Sequence, residues 1–310
     1  MNIGVAGAGA VGCYFGGRLS EAGHEVTFLA RGEHLHAMSQ QGLVIQEEER
    51  QFLVDGIFTG NVAALGDVDL VLFCVKSNDT KEMAQQLKAV IKERTLVMTM
   101  QNGVDNEEIL NDVFGADRVL SAVTYIQAAV DEPGKVSQQG RVKLVLGALD
   151  PSTDFASAVV SLMQEAGVDT VQSKNIRVRK WNKLLWNATF NPLSAISGAR
   201  VGEILDDDQL RKTAETICRE VIDVAIHKGI LVEPEATVSH IFSRAEMARQ
   251  HRTSMLQDRL RGKRMEVEAM CGYITKQGAL LGVQIPALQS IYSVLNFVND
   301  QQNKTSVLKT

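Results

Sequence analysis

The strongest constraint on this chain sits at its start. Residues Asn2–Ala6 read as a short strand that runs directly into Gly7-Ala8-Gly9-Ala10-Val11-Gly12. A GxGxxG run alone is weak evidence. Here it follows a strand, opens the helical pattern Gly12–Ala22 and is followed by a second strand pattern at Glu25–Leu29, the context that a dinucleotide site requires. Each glycine has its own task. Gly7 permits the tight turn, Gly9 lets the backbone approach a pyrophosphate, and Gly12 lets the helix pack closely on the sheet. The helix N-terminus offers N–H groups and a positive dipole end to the anion.

The end of the second strand separates two cofactors. An NAD site needs a carboxylate there, about 20 residues past the glycines, to accept the ribose hydroxyls. This chain has Leu29-Ala30-Arg31-Gly32. A guanidinium can clamp a 2′-phosphate with two parallel hydrogen bonds, where a carboxylate would repel it. The expectation is therefore NADP (as NADPH) over NAD, with Arg31 as discriminator; a solvated Arg31 with Glu33 serving the ribose is the alternative. Lys76 and Asn102 follow the strand patterns Asp69–Val75 and Thr95–Met100. Ligands of open parallel sheets bind outside the carboxyl ends of strands, so both positions point to one crevice, although surface lysines and turn asparagines are also common without function.

The rhythm changes along the chain. Up to about Leu149, short apolar runs alternate with helical stretches, continuing through Val119–Ala129 and Val142–Gly147, with a hairpin expected from Leu43–Gln46 and Gln51–Val54. Asp150-Pro151-Ser152-Thr153 reads as a linker and helix N-cap, and a short strand follows near Asp169–Gln172. The rest is helical in pattern: about Ser173–Gly198, Asp207–Lys228, Pro234–Gln250, Met265–Leu281 and Pro286–Asn303. The expectation is an α/β chain with a dinucleotide-binding domain over residues 1–172 and an all-helical substrate and catalytic domain over 173–310.

Composition narrows the function classes. With 45% hydrophobic and 22% charged residues the chain is an ordinary globular one, and 310 residues suit two domains, each with its own core. A net charge of −5 argues against broad nucleic-acid affinity, which needs a basic face. Four dispersed cysteines fit free thiols in a reducing cytoplasm rather than disulfides or a zinc site. With no signal-like start and no apolar run near the ~20 residues that span a bilayer, no membrane partner is expected. The six histidines include no HxxxH or HExxH spacing, so no metal is expected either.

The most informative segment of the second half is Trp181-Asn182-Lys183-Leu184-Leu185-Trp186-Asn187-Ala188-Thr189-Phe190-Asn191-Pro192-Leu193. Lys183, Asn187 and Asn191 recur every four residues and share one face of a helix that is otherwise mostly apolar. A buried ammonium is costly unless paired, and a buried amide needs partners. The stripe is either a structural hydrogen-bond network or the wall of an active site, where a lysine is a natural proton donor. Pro192 should kink the helix near Ala188. At an unperturbed pKa near 10.4, Lys183 would be protonated. Glu266 opens a later helical pattern, where a carboxylate is often only a dipole-complementing cap. The run Arg259–Arg264 is most simply solvated, and Cys13, at a helix N-terminus, is more simply a packed residue than a redox sensor.

Taken in order, the glycine loop from residue 7, Arg31-Gly32, Gln101-Asn102-Gly103, Lys183-x3-Asn187-x3-Asn191-Pro192-Leu193, Ser254-Met255-x-Gln257-Asp258 and Glu266 resemble the ketopantoate reductase (2-dehydropantoate 2-reductase) family over almost the whole chain. The resemblance implies a Rossmann-type domain plus a helical domain, and NADPH-dependent reduction of ketopantoate to pantoate on the route to pantothenate and coenzyme A. It implies Lys183 as the catalytic lysine and Glu266 as its partnering carboxylate. Asn187, Asn191 and Ser254 would hold the substrate. Asn102 and Lys76 would border the nicotinamide end, with Asn102 and Glu266 counted among both the substrate or catalytic and the cofactor contacts. His251, where family members commonly have asparagine or another small polar residue, and Met265 and Val267 beside Glu266 depart from the pattern. A paralogous reductase of another 2-oxo acid shares the catalytic residues, and a non-catalytic NADP-binding sensor would have no need of the Lys183/Glu266 pair. The long terminal helices could cover the chain's own cleft or a second subunit, so a homodimer is left open.

Overall fold

The apolar runs of the first half become the strands of a single ten-stranded sheet. A computed structural model describes residues 1–150 and 152–307, with side chains to residue 302. Pro151 of the expected linker and the last three residues of the expected second domain lie outside the described residues. The chain falls into two compact units, Met1–Gln101 with Asp105–Arg179, and Asn102–Val104 with Lys180–Thr310.

In the first unit the order of elements is β1 (Asn2–Ala6), α1 (Ala10–Glu21), β2 (Glu25–Leu29), α2 (Gly32–Gln41), β3 (Leu43–Gln46), β4 (Gln51–Val54), β5 (Ile57–Thr59), β6 (Leu70–Phe73), α3 (Thr80–Lys88), β7 (Leu96–Thr99), α4 (Asp105–Phe114), β8 (Val119–Glu132), β9 (Lys135–Ala148), α5 (Phe155–Glu165) and β10 (Thr170–Gln172). Across the sheet the strands run β4-β3-β9-β8-β7-β6-β1-β2-β5, with β10 on β9. The six strands β5-β2-β1-β6-β7-β8 are parallel. Counted along the chain, their spatial order is the doubly wound 3-2-1-4-5-6, whose direction reverses between β1 and β6. Ligands of such sheets sit at that reversal, and the glycine loop leaves β1 there.

Burial on both faces explains the unbroken apolar runs. All four residues of β6 are fully buried. Leu70 and Leu72 pack with Phe15 and Leu19 of α1 and with Val159 and Met163 of α5. Val71 and Phe73, pointing the other way, pack with Leu87 of α3 and Leu110 and Phe114 of α4. The expected hairpin is present, with Leu43 opposite Val54 and Gln46 opposite Gln51.

Several boundaries differ from expectation for physical reasons. α1 begins at Ala10 rather than Gly12, so the last residues of the glycine run form its first turn. β9 starts at Lys135, seven residues before the expected Val142, because its polar stretch Ser137–Gln139 pairs with β8 and hides the strand from hydropathy. Pro133-Gly134 turns the chain between them, with Gly134 at φ 82°. The three-residue edge strand β5 is too short for a periodic signal, and nothing in the sequence reading marked it.

The second unit takes up α6 (Ile176–Ser197) from Lys180 onward, then α7 (Val201–Asp206), α8 (Asp208–His227), α9 (Pro234–Met247), α10 (Ser254–Leu260), α11 (Tyr273–Leu281) and α12 (Pro286–Val307). Its core joins Trp181, Leu184, Leu185, Ala188 and Phe190 of α6 to Ile217, Val221 and Val224 of α8 and to Met270 and Ile274. The short helices α7 and α10 were not anticipated. A single π turn, Glu268–Gly272, precedes α11 where an unbroken helix from Met265 was expected. Arg259 is not merely solvated: its Nη1 donates to the carbonyls of Ala195 and Ile196 (2.9 Å to the latter), closing the C-terminal end of α6. Among the described residues no helix is long and apolar enough to cross a membrane.

Candidate active site

Two groups of candidate residues stand out, one in each unit. The first is made of backbone. Gly7 has φ 96°, and a Cβ there would lie 2.6 Å from the Val75 nitrogen, just past β6. A Cβ on Gly12 would lie 2.5 Å from the Gly7 carbonyl oxygen. The fold itself therefore requires both of these glycines. Gly9 is different. It has an ordinary negative φ of −86°, and a Cβ on it would meet nothing within 4 Å. Nothing in the protein demands glycine there, and the open space beside it is what the close approach of a pyrophosphate needs. Gly9 is also the N-cap of α1 and supplies no side-chain cap, so the first-turn N–H groups of Ala10 and Val11 face the position an anion would take. The loop fits a dinucleotide.

Cys13 is buried one turn into α1, its Sγ donating to the Ala8 carbonyl at 3.3 Å. Burial pushes its thiol far up, opposite to the stabilised thiolate that a helix N-terminus could support.

At the carboxyl end of β2, Arg31 is the N-cap of α2 and is exposed. Its Nη2 donates to Asp79 Oδ2 at 2.9 Å. This partner, 48 positions away, was not anticipated. Glu33 lies in the first turn of α2 and is exposed. Lys76 follows β6, exposed, and its carbonyl accepts from the Asp79 N–H at 2.8 Å.

The second group is made of side chains within the helical unit. Lys183 Nζ donates to Asn102 Oδ1 at 2.9 Å, and Asn102 Nδ2 lies 3.4 Å from Glu266 Oε2. Three residues spread over 164 positions thus form one chain of lysine, amide and carboxylate. Asn102 is presented on a turn that Gly103 reverses at φ 86°. Glu266 lies just ahead of the π turn, where it meets Asn102 rather than serving only as a helix cap.

Further along α6, Asn187 and Asn191 are buried, at 9% and 2% exposure. Asn191 Nδ2 contacts Met270 Sδ of the π turn at 3.3 Å, while its Oδ1 is buried without a hydrogen-bond partner among the described residues. α6 runs through Pro192 as one helix. Ser254 is the exposed first residue of α10, whose N-cap is Thr253. His251 packs edge-on against Trp186, ring centroids 5.7 Å apart, and burial lowers its pKa.

The electrostatics of Lys183 depart from the sequence expectation. Its pKa falls from the ordinary lysine range to about 7. Burial is the main cause, since removing water disfavours the ammonium; the nearby charge of Lys180 adds to it, and Glu266 opposes it. Lys180 is only 5% exposed and lies one helical turn before Lys183. The sequence reading passed over it, although the i, i+3 spacing was a usable signal. A lysine poised near neutrality can both hold and release a proton. Among the described residues no cluster of three or more His, Cys, Asp or Glu is placed to hold a metal.

Comparisons with known proteins give the family. Residues 3–151 match the model of the ketopantoate reductase PanE/ApbA family and residues 175–299 match that of its C-terminal domain. A 2-dehydropantoate 2-reductase of Pyrococcus horikoshii is 31% identical over 287 residues, 92% of this chain and 93% of that protein. The crystal structure of a PanE/ApbA family ketopantoate reductase from Ralstonia eutropha superposes with a TM-score of 0.91 at 32% identity, covering 98% of this chain and 100% of that one. A D-mandelate dehydrogenase solved with NADH and anilino(oxo)acetate superposes with a TM-score of 0.89 at 25% identity, covering 98% and 100%. The chain is an oxidoreductase that belongs to the ketopantoate reductase family.

Proposed function

We propose that this protein reduces ketopantoate to pantoate with NADPH, on the route to pantothenate and coenzyme A. The observation that carries the reading is Lys183, hydrogen-bonded to Asn102 and with a pKa brought near neutrality. In the bound state the cofactor supplies a hydride to the C2 ketone, so negative charge develops on the ketone oxygen. Lys183 stabilises that charge and donates the proton. The carboxylate of a 2-oxo acid favours the ammonium over the free amine, so substrate binding loads Lys183 with the proton it must give. Asn102 holds the lysine through its Oδ1, and Glu266 in turn fixes the Asn102 amide. Asn187, Asn191 and Ser254 hold the substrate; the unpaired Oδ1 of Asn191 is suited to accept from a hydroxyl. Gly7–Gly12 cradle the pyrophosphate and Arg31 takes the 2′-phosphate, with Lys76, Asn102 and Glu266 as further cofactor contacts. The work of this enzyme is cytoplasmic, consistent with free thiols.

The test is NADPH oxidation followed by absorbance on adding ketopantoate, with NADH in parallel. Rapid oxidation of NADPH, with NADH far slower, is the expected result; NADPH that binds but is not consumed removes the substrate assignment and leaves the fold intact. The likeness to a D-mandelate dehydrogenase favours a second reading, a paralogous reductase of an aromatic 2-oxo acid. Higher kcat/KM with 2-oxo-2-phenylacetate than with ketopantoate would establish it.

A further inference from the structure

Asp79 stands at the N-cap of α3, yet its carboxylate makes no cap bond there. It reaches instead to Arg31, as an ion pair of 2.9 Å between Oδ2 and Nη2. The two partners are held very differently. Asp79 sits on a fixed backbone: its N–H is bonded to the Lys76 carbonyl, and the next residue, Thr80, is fully buried and donates to Asn106 at 2.7 Å. Arg31 is a long side chain with 89% of its surface exposed. One of its five N–H donors is engaged by the carboxylate, so a phosphate can still be taken on the remaining edge.

We propose that Asp79 is a specificity-determining residue for the cofactor, setting how strongly Arg31 favours a nucleotide that carries a 2′-phosphate over one that carries a free 2′-hydroxyl. The inference rests on the reading of Arg31 as the 2′-phosphate contact. A phosphate monoester brings a charge of about −1.5 to −2. Taken by Arg31, that charge comes within roughly 7 Å of the Asp79 carboxylate, and like charges at that distance near a surface weaken binding by about threefold to tenfold at low ionic strength. A ribose hydroxyl carries no charge and suffers no such penalty. Asp79 therefore lowers the advantage of NADPH without touching NADH, and its fixed backbone keeps the carboxylate beside the arginine when either nucleotide arrives. The chain has the arginine of one cofactor preference and, next to it, a carboxylate that tempers it.

The experiment measures dissociation constants of NADPH and NADH for the full-length protein, D79N and R31A, by nucleotide fluorescence at low and high salt. Asp79→Asn is expected to tighten NADPH about threefold to tenfold at low salt, to leave NADH within about twofold, and to lose most of its effect at high salt. Unchanged or weaker NADPH binding in D79N, or equal tightening of both nucleotides, overturns the proposal. The R31A variant separates the two levels. If R31A loses NADPH selectively while D79N changes nothing, the assignment of Asp79 falls and that of Arg31 stands. If R31A weakens both nucleotides equally, the reading of Arg31 fails and this inference falls with it.

Discussion

The glycine loop and the lysine cluster are two ways of assembling polar groups. The loop uses backbone N–H groups at the start of α1, fixed by glycines whose neighbours leave no room for a Cβ. The lysine cluster uses side chains from three distant segments, held at 2.9 Å and 3.4 Å in a desolvated setting that shifts Lys183 to about pKa 7. A backbone site is written in a dozen consecutive residues and is insensitive to pH. A side-chain site depends on burial and on neighbours far away in sequence, and its charge changes with pH.

The largest expected effect lies in the second region. Lys183→Ala should lower kcat by about 10²–10⁴-fold while NADPH affinity, read by fluorescence titration, stays the same. Retained turnover would move the proton donor elsewhere and erase the distinction between the regions. In the first region the glycines should divide. Gly7→Ala should cost about 2–3 kcal/mol in chemical denaturation, since it meets both a positive φ and the Val75 nitrogen. Gly9→Ala, with open space around its Cβ, should leave stability within about 0.5 kcal/mol and weaken nucleotide binding about tenfold or more. If the two variants behave alike, Gly9 is a structural glycine and not a ligand-facing one.

The smallest effects are displacements of a pH profile. Reduction needs the ammonium, so kcat/KM, which reports the free enzyme, should fall as pH rises through about 7, and the reverse oxidation should instead lose activity as pH falls through that value. Lys180→Met removes a repelling charge, so Lys183 should hold its proton to higher pH and the limb should move up. Glu266→Gln removes a stabilising charge and should move it down. No shift in either variant would mean that burial alone sets the pKa of Lys183, and shifts in the same direction would overturn the opposed roles of Lys180 and Glu266.

Much of the fold was legible because it is local. β1, β2 and both hairpin strands have the predicted limits, since alternating or continuous apolar runs bounded by turn residues identify strands wherever they later pair. β5 and the polar half of β9 were not legible, because what makes them strands is the neighbour each pairs with. The same divide runs through the candidate site. The Lys183, Asn187, Asn191 stripe needs only the helical period to be seen. That Asn102 accepts a hydrogen bond from Lys183, across 81 positions, needs the fold.

The sequence by itself determined the glycine run after the first strand, the α/β and helical halves and the polar stripe of Lys183, Asn187 and Asn191, because each rests on spacing within one element. Tertiary structure alone decided that Arg31 meets Asp79, that Arg259 closes α6 and that Lys183 is no ordinary lysine. Ion pairing and desolvation depend on distance and dielectric, and neither quantity exists until the chain has folded.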